Sequence, residues 1–538
     1  MKILTITTSP YTNQTAGTSG LRRKTKIFLQ KNYLENYMQA IFNTVNIKNK
    51  TLVIGGDGRF YNLHALKIIV SMGIANGAKK IYIAKNGYLS TPAVSIFIRK
   101  YQIDYGVILS ASHNPAGLQG DFGIKLNESN GAPVHINITN QITEHTKSIK
   151  EYLILDNLNL DVSKLNTFKV LNTSIEVFNG VIDYVAKMQE IFDFSSIKNL
   201  IATKKLQFFF NALHGITGIY AYEIFHKCFN VPMENLFNII PQEDFGGLIA
   251  DPNPTTVADF IKLVKQQPHI DLGFACDADG DRNMVFSHKY CLEPSDSIAL
   301  MLEHASLVNY YKNVVGVARS KPTSYALDLV AKALGIPCYI VPTGWKFFAN
   351  LLDAHKITLC GEESFGTGSD HSREKDGIWA VLYWLHILAK SNNNFDDILE
   401  SYWHKYGRVF FARYDIEKIA PSVAESILQQ LAINAKAKLQ HTLLHNYTLT
   451  NCQQFAYHDS LTGEVINNQG LMLSFNHNAE VFIRLSGTST EGSTIRCYVS
   501  KYSNNKEDFS IDKFQYLEKL VDTIFSLMPT VIKYTFRV

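Results

Sequence analysis

The segment "CDADGDRN" (276–283) places Asp277, Asp279 and Asp281 at alternate positions directly after an apolar run. Three carboxylates this close repel one another strongly unless a cation neutralises them. Hard oxygen ligands suit Mg²⁺, which often keeps open positions for water or a phosphate oxygen. An EF-hand loop would need glycine at its sixth position and glutamate at its twelfth; Arg282 and His288 stand there, so that reading fails. An arginine beside a metal, as Arg282 is here, can hold a phosphate oxygen. A second segment, "GVILSASHNP" (106–115), runs an apolar stretch into a Ser-His-Asn-Pro turn. Ser112 lies outside any G-x-S-x-G pattern, which argues against a lipase-type nucleophile. A serine that carries phosphate has other needs: a metal, cationic partners, and backbone amides at a turn. The aspartate triplet offers the metal, and His113, Arg22 and Lys125 offer the cations. On residue type alone, a plain turn serine remains the better reading of Ser112.

The elements that must carry these residues show one recurring pattern. "TLVIGGDGR" (51–59), "KKIYIAKNG" and "DYGVILSASHNP" are β-rich runs separated by amphipathic, helix-like stretches. That alternation predicts βαβ units and a largely parallel sheet. A second series begins at "LQFFFNALHG" (206–215) and includes "IDLGFACDADGDR" (270–282). A third contains "NVVGVARS" (313–320), "CYIVPTGWKF" (338–347) and "ITLCGEESFGTG" (357–368). After residue 405 the pattern changes to strands of a mixed sheet with a terminal amphipathic helix over about 511–528. The chain therefore reads as α/β with four domains: 1–185, 186–297 and 298–405, which are alike, and 406–538, which differs. In open α/β sheets the chemistry collects at the carboxyl ends of strands, and each motif above sits at such an end.

Composition narrows the class. A chain of 538 residues with 46% apolar and 19% charged residues is an ordinary multidomain globular protein. A net charge of +4 at this size gives no reason to expect a nucleic-acid partner, though a local basic site for an anion fits it. The seven cysteines are scattered with no CxxC pair, which fits reduced thiols in a cytoplasmic protein. The N-terminus has no apolar region of signal-peptide length, and the most apolar helix, "GIWAVLYWLHILAK", is too short to span a membrane.

Taken together, "TAGTSGLRRK" (15–24), "SASHNPAG" (110–117), "CDADGDRN", "VPTGWKFF" (341–348), "GEESFGTGSDHSREKDG" (361–377) and "RLSGTSTEGSTIR" (484–496) resemble the α-D-phosphohexomutases, and among them the phosphoglucomutase branch. The resemblance covers nearly the whole chain. It implies a monomer of three similar mixed α/β domains and a fourth of TBP-like α+β topology, around a central active-site cleft. It also implies interconversion of glucose 1-phosphate and glucose 6-phosphate through a phosphoserine enzyme, with glucose 1,6-bisphosphate as intermediate and activator. Phosphomannomutase or phosphoglucosamine mutase chemistry is the alternative on the same scaffold. A non-enzymatic relative would be expected to lose the nucleophile or metal ligands, and a simple phosphatase would not need a separate loop for a second phosphate.

The resemblance assigns roles by position. Ser112 is the phosphate carrier and, with Asp277, Asp279 and Asp281, a Mg²⁺ ligand. His113, Arg22, Lys125 and Lys375 surround the reacting phosphate, the two lysines as base and acid. Ser19, Arg282, Thr343, Gly344, Glu362 and Ser364 meet the substrate, and Arg484, Ser486, Gly487, Thr488 and Arg496 hold its non-reacting phosphate. Ser110 and Ala116 stand where relatives often have threonine and glycine, and Glu491 puts an acid near the phosphate loop. Trp345 and Phe347 read as packing, Arg319 as a bridge to the sugar loop or an ion pair, and Asp57 with Arg59 as structural residues away from the chemistry.

Overall fold

A computed structural model describes residues 1–17, 20–486 and 492–529. The first three domains repeat one sheet plan. In the second, Phe208–Asn211 lies between Leu236–Phe237 and Leu272–Cys276, all parallel, and Asn283–Ser287 turns back antiparallel at the edge. In the third, Val317–Ser320 lies between Cys338–Val341 and Leu359–Glu362, with Gly366–Ser369 as the antiparallel edge. In the first, Thr51–Gly56 lies between Lys80–Tyr88 and Tyr105–Leu109, and Asp121–Asn127 is the antiparallel partner of the latter. Each sheet thus runs second, first, third, fourth strand in chain order. The reversal between third and fourth strands produces a loop at the carboxyl end of the sheet, where open α/β sheets bind ligands.

The sheets are less parallel than the sequence pattern suggests. The first has seven strands, with Leu21–Lys24 paired antiparallel to Asp121–Asn127 at one edge and Asn166–Val170 antiparallel to Thr173–Phe178 at the other. Asn166–Val170 and Thr173–Phe178 are joined by a short turn, which favours antiparallel pairing, whereas Leu21–Lys24 meets its partner only after the intervening strands and helices of the domain.

One apolar core runs continuously through the first three domains, from Val53 and Phe97 through Phe210 and Val285 to Trp379 and Tyr383. Its centre is the helix Gly377–Lys390, buried from Gly377 to Leu388. Each polar group on that helix finds a partner: Trp384 Nε1 donates to Ser297 Oγ at 3.1 Å and Tyr383 OH to the Met301 carbonyl at 2.9 Å. Left unmade, each such bond would cost about 1–3 kcal/mol of what burying the ring contributes. The fourth domain keeps its own core under a five-stranded antiparallel sheet, with helices Pro421–Ala437 and Lys513–Ser526. Among the described residues, no helix is long and apolar enough to cross a membrane.

Candidate active site

The loops at the strand ends converge on one cleft of about 930 Å³, to which all four domains contribute. The serine loop leaves strand Tyr105–Leu109. Ser112 takes a left-handed backbone, φ +53°, which costs a non-glycine residue about 1–2 kcal/mol. Such strain persists where the surroundings impose it. Here the Ser112 N–H donates to Ser110 Oγ at 2.7 Å, and Ser110 Oγ in turn donates to Asp57 Oδ2 at 2.7 Å. Arg59 pairs with Asp57 and donates to the Ser112 carbonyl at 2.5 Å and the Asp121 carbonyl at 2.9 Å. Both side chains of that pair are 0% exposed. Asp57 and Arg59 are structural, as the sequence suggests, but they are not remote from the chemistry: they brace the reactive turn. The sequence hides this because the contact reaches a carbonyl 53 positions away.

The acidic loop packs against the serine. Ser112 Oγ donates to Asp277 Oδ2 at 3.2 Å, across 165 positions of sequence. Asp277 Oδ1 accepts the N–H groups of Asp281 at 2.9 Å and Arg282 at 3.0 Å, which closes the turn. Asp277, Asp279 and Asp281 are all buried, and each offers an oxygen within 4.8 Å of the others. Asp279 Oδ1 and Asp281 Oδ1 have no hydrogen-bond partner. Burial, then the charges of Asp281 and Asp279, push the Asp277 carboxyl well above its ordinary range. A carboxylate that costs this much to ionise, beside two orphaned oxygens, fits a hard divalent cation. Burial also opposes ionisation of Asp279, but the Lys125 ammonium, the Thr91 hydroxyl and Arg22 outweigh it and hold that carboxyl below the usual value.

The cations lie where the sequence puts them. Lys125 Nζ is 2.5 Å from Asp279 Oδ2 and 3.8 Å from Asp281 Oδ2. Lys375 Nζ is 3.4 Å from Asp281 and 3.6 Å from Glu362. Its side chain is 12% exposed, so it is part of the cleft and not surface charge. Burial works against both ammonium groups, yet the facing carboxylates prevail and raise both lysines above the ordinary value. His113 is pushed the other way, well below its usual value, by burial and then by Arg282, Arg22, Arg496 and Lys375. Its Nδ1 lies 3.4 Å from Ser112 Oγ. Arg282 pairs with Asp251 at 3.0 Å and stays within 4.0 Å of Asp277. Arg22, on the edge strand Leu21–Lys24, lines the cleft with its Nε unpartnered.

The third domain supplies Thr343, Gly344, Glu362 and Ser364 to the cleft wall, and the fourth supplies Arg484, Ser486 and Arg496. Ser19, Gly487, Thr488 and Glu491 lie outside the described residues. Trp345 and Phe347 belong to the small core of the third domain, as expected of packing residues, although Trp345 also reaches the cleft. Arg319 forms an ion pair with Asp328 and donates to the Thr323 carbonyl at 2.9 Å; it does not line the cleft. Glu374 and Arg413 line it without having been singled out in the sequence. Glu374 Oε1 accepts from Asn127 Nδ2 at 2.9 Å, across 247 positions, and burial raises its carboxyl to about 7.

Short contacts fix the loops to one another. The Gly377 N–H donates to the Gly280 carbonyl at 2.9 Å, and a Cβ on Gly377 would meet the Arg282 carbonyl oxygen at 2.3 Å. Asp376 caps the helix behind Lys375 by accepting from Trp379 N at 3.0 Å. It also meets Tyr184 OH at 2.6 Å and His371 Nε2 at 3.0 Å, while His371 Nδ1 lies 2.6 Å from Ser369 Oγ. This Ser-His-Asp line resembles a hydrolase triad only on paper: His371 and Asp376 are 0% exposed, so no substrate reaches it.

Comparison with known proteins agrees across the whole chain. The descriptions "Phosphoglucomutase/phosphomannomutase, alpha/beta/alpha domain" I, II and III match residues 13–153, 182–289 and 294–406. "Phosphoglucomutase-1, C-terminal domain" matches 408–534. The chain is 43% identical to a chloroplastic phosphoglucomutase 1 of Marchantia polymorpha, over 98% of this chain and 83% of that one. It is likewise 43% identical to phosphoglucomutase-1 of Oryctolagus cuniculus, over 97% and 96%. Among solved structures, the open form of parafusin, a phosphoglucomutase from Paramecium, superposes with a TM-score of 0.89 at 37% identity over 99% of both chains.

Proposed function

The chain belongs to the phosphoglucomutase/phosphomannomutase family, and on that premise we propose that it interconverts glucose 1-phosphate and glucose 6-phosphate through a phosphoserine at Ser112. It is an isomerase that works by moving a phosphoryl group. The observation that carries the reading is the meeting of Ser112 Oγ with the buried aspartate triplet at 3.2 Å. A nucleophile, a cation site and an arginine-lined second anion site in one cleft suit a reaction that handles phosphate at both ends of its substrate.

The substrate's free hydroxyl attacks phosphorus of phospho-Ser112. A bond forms between the hydroxyl oxygen and phosphorus while the Oγ–P bond breaks, giving glucose 1,6-bisphosphate and the free serine. The bisphosphate turns over in the cleft, and its other phosphoryl group returns to Ser112. Asp277, Asp279 and Asp281 would hold Mg²⁺, with Ser112 phosphate as a further ligand, and the ion would offset the phosphate charge. His113, Arg22 and Arg282 steady the phosphate oxygens. Lys125 and Lys375 are cations in this state, so they enter as acids or electrostatic partners. A lysine takes the hydroxyl proton only after losing its own, and the other, still protonated, gives a proton to the departing Oγ, so the transfer balances. Glu362 and Ser364, with Thr343, Gly344 and Ser19, meet the sugar, and Arg484, Ser486, Gly487, Thr488 and Arg496 take the distal phosphate. One set of arginines serves both orientations because a phosphate presents the same face from either end of the sugar.

We divide the chain into domains at about residues 185, 297 and 405, with a monomer as the working unit because one chain supplies the whole cleft. Seven free cysteines suit a reducing compartment such as the cytoplasm, although relatives include chloroplastic enzymes. A coupled assay of glucose 6-phosphate formation, with Mg²⁺ and a trace of bisphosphate, tests the reaction. Turnover is expected in the wild type and none in Ser112→Ala, whose circular dichroism should be unchanged. Full turnover by Ser112→Ala would remove the carrier role.

A further inference from the structure

Strand Arg408–Ile419 carries "ARYDIE", in which Arg413 and Asp415 alternate onto one face. Register extends that face across the sheet. Asp415 stands opposite Arg496, and Arg496 opposite Arg484. The neighbouring row sets Arg413 opposite Tyr498. Arg413, Arg484 and Arg496 line the cleft, but Asp415 does not: it is 3% exposed, beneath them. Its Oδ1 is 3.0 Å from Arg413 Nε and its Oδ2 is 3.7 Å from Arg496 Nε. Glu363, from the third domain, adds a second negative charge near Arg496, but its own hydrogen bond comes from Ser320 Oγ at 3.0 Å.

Resting on the mutase reading, we infer that Asp415 is a positioning residue of the distal-phosphate site, and that Arg413 belongs to that site as a third arginine. A buried carboxylate with two guanidiniums on it needs a use for the charge it holds. Asp415 meets both guanidiniums from their Nε side. The Nη groups, which Asp415 does not meet, are the part of each fork that binds phosphate in two parallel bonds. Neither contact is an aligned hydrogen bond, since Arg413 Nε, Arg496 Nε and Asp415 Oδ1 all lack a hydrogen-bond partner. The arginines are therefore tied to Asp415 by charge rather than by aligned hydrogen bonds. Asp415 touches no substrate and acts through the arginines.

A double-mutant cycle on the full chain tests this with the coupled assay. Asp415→Asn, which keeps the shape and removes the charge, should raise the KM for glucose 1-phosphate about ten-fold, the scale of one charged hydrogen bond, with kcat changed far less. Arg413→Ala should raise KM similarly, and the double variant should fall clearly short of the product of the two single effects, because both remove the Asp415–Arg413 contact while only Asp415→Asn also frees Arg496. Asp415→Glu should recover part of the loss. An unchanged KM, a fall in kcat alone, or additive effects would overturn the inference while the wild type still turns over. A wild type without mutase turnover would overturn the functional reading and this inference with it.

Discussion

Ser110→Ala is the perturbation that most directly tests how the reactive turn is held. The Ser110 hydroxyl accepts the Ser112 N–H at 2.7 Å and donates to Asp57 at 2.7 Å, so one atom links the buried ion pair to Ser112. Removing it leaves the Ser112 N–H buried without an acceptor, a loss of about 1–3 kcal/mol. The Asp57 carboxylate also loses a donor but keeps Arg59, so its share is the smaller one. Ser112 meanwhile stores about 1–2 kcal/mol in its left-handed backbone, which the turn can now relieve by moving. We expect a stability loss of about 2 kcal/mol in urea unfolding, of the order that burying an unpaired polar group gives. Relief of the strain would carry Oγ away from Asp277, and since about 1.4 kcal/mol is tenfold in rate, kcat should fall about 10- to 30-fold. Ser110→Thr keeps the hydroxyl and should retain most of both. The coupled mutase assay and a urea titration read the two effects on the same samples. If Ser110→Ala keeps kcat within two-fold and its urea midpoint, the link through Ser110 does not hold the serine, and Arg59 on the Ser112 carbonyl suffices.

Two further outcomes follow from buried charge. Asp279→Asn removes both a candidate cation ligand and the 2.5 Å partner of Lys125; it should shift the Mg²⁺ midpoint of activity upward by about tenfold or more and destabilise the chain by about 3–5 kcal/mol, and an unchanged Mg²⁺ titration would exclude Asp279 as a ligand. His371→Ala cuts the line from Ser369 to Asp376 behind Lys375 and should cost about 2–4 kcal/mol in urea unfolding, since both its ring nitrogens have partners and its side chain is 0% exposed; a midpoint equal to wild type would show that Asp376 holds the loop alone.

What the sequence determined by itself is what short stretches of chain decide. Asp277, Asp279 and Asp281 share a five-residue span, so their mutual repulsion, and with it the expectation of a cation, follows from spacing, and the buried cluster has a form that could hold one. The strand-then-loop rhythm placed the serine, aspartate and sugar loops at carboxyl ends of strands, because side-chain alternation and turn residues are local properties. What only the tertiary structure decided is which distant groups meet and how deeply. Lys375 looks like surface charge within "SREKD" until the fold sets it on Asp281 and Glu362. Burial raises the Glu374 carboxyl to about 7, against the hydrogen bond that it accepts from Asn127, 247 positions away. Asp57 and Arg59 become braces for Ser112, and Asp415 comes to lie under two arginines, through contacts that no pattern in one sequence encodes. The physical reason is the same throughout: a carboxylate or an ammonium owes its role to the charges and the water around it, and both are set by neighbours the chain brings in from elsewhere.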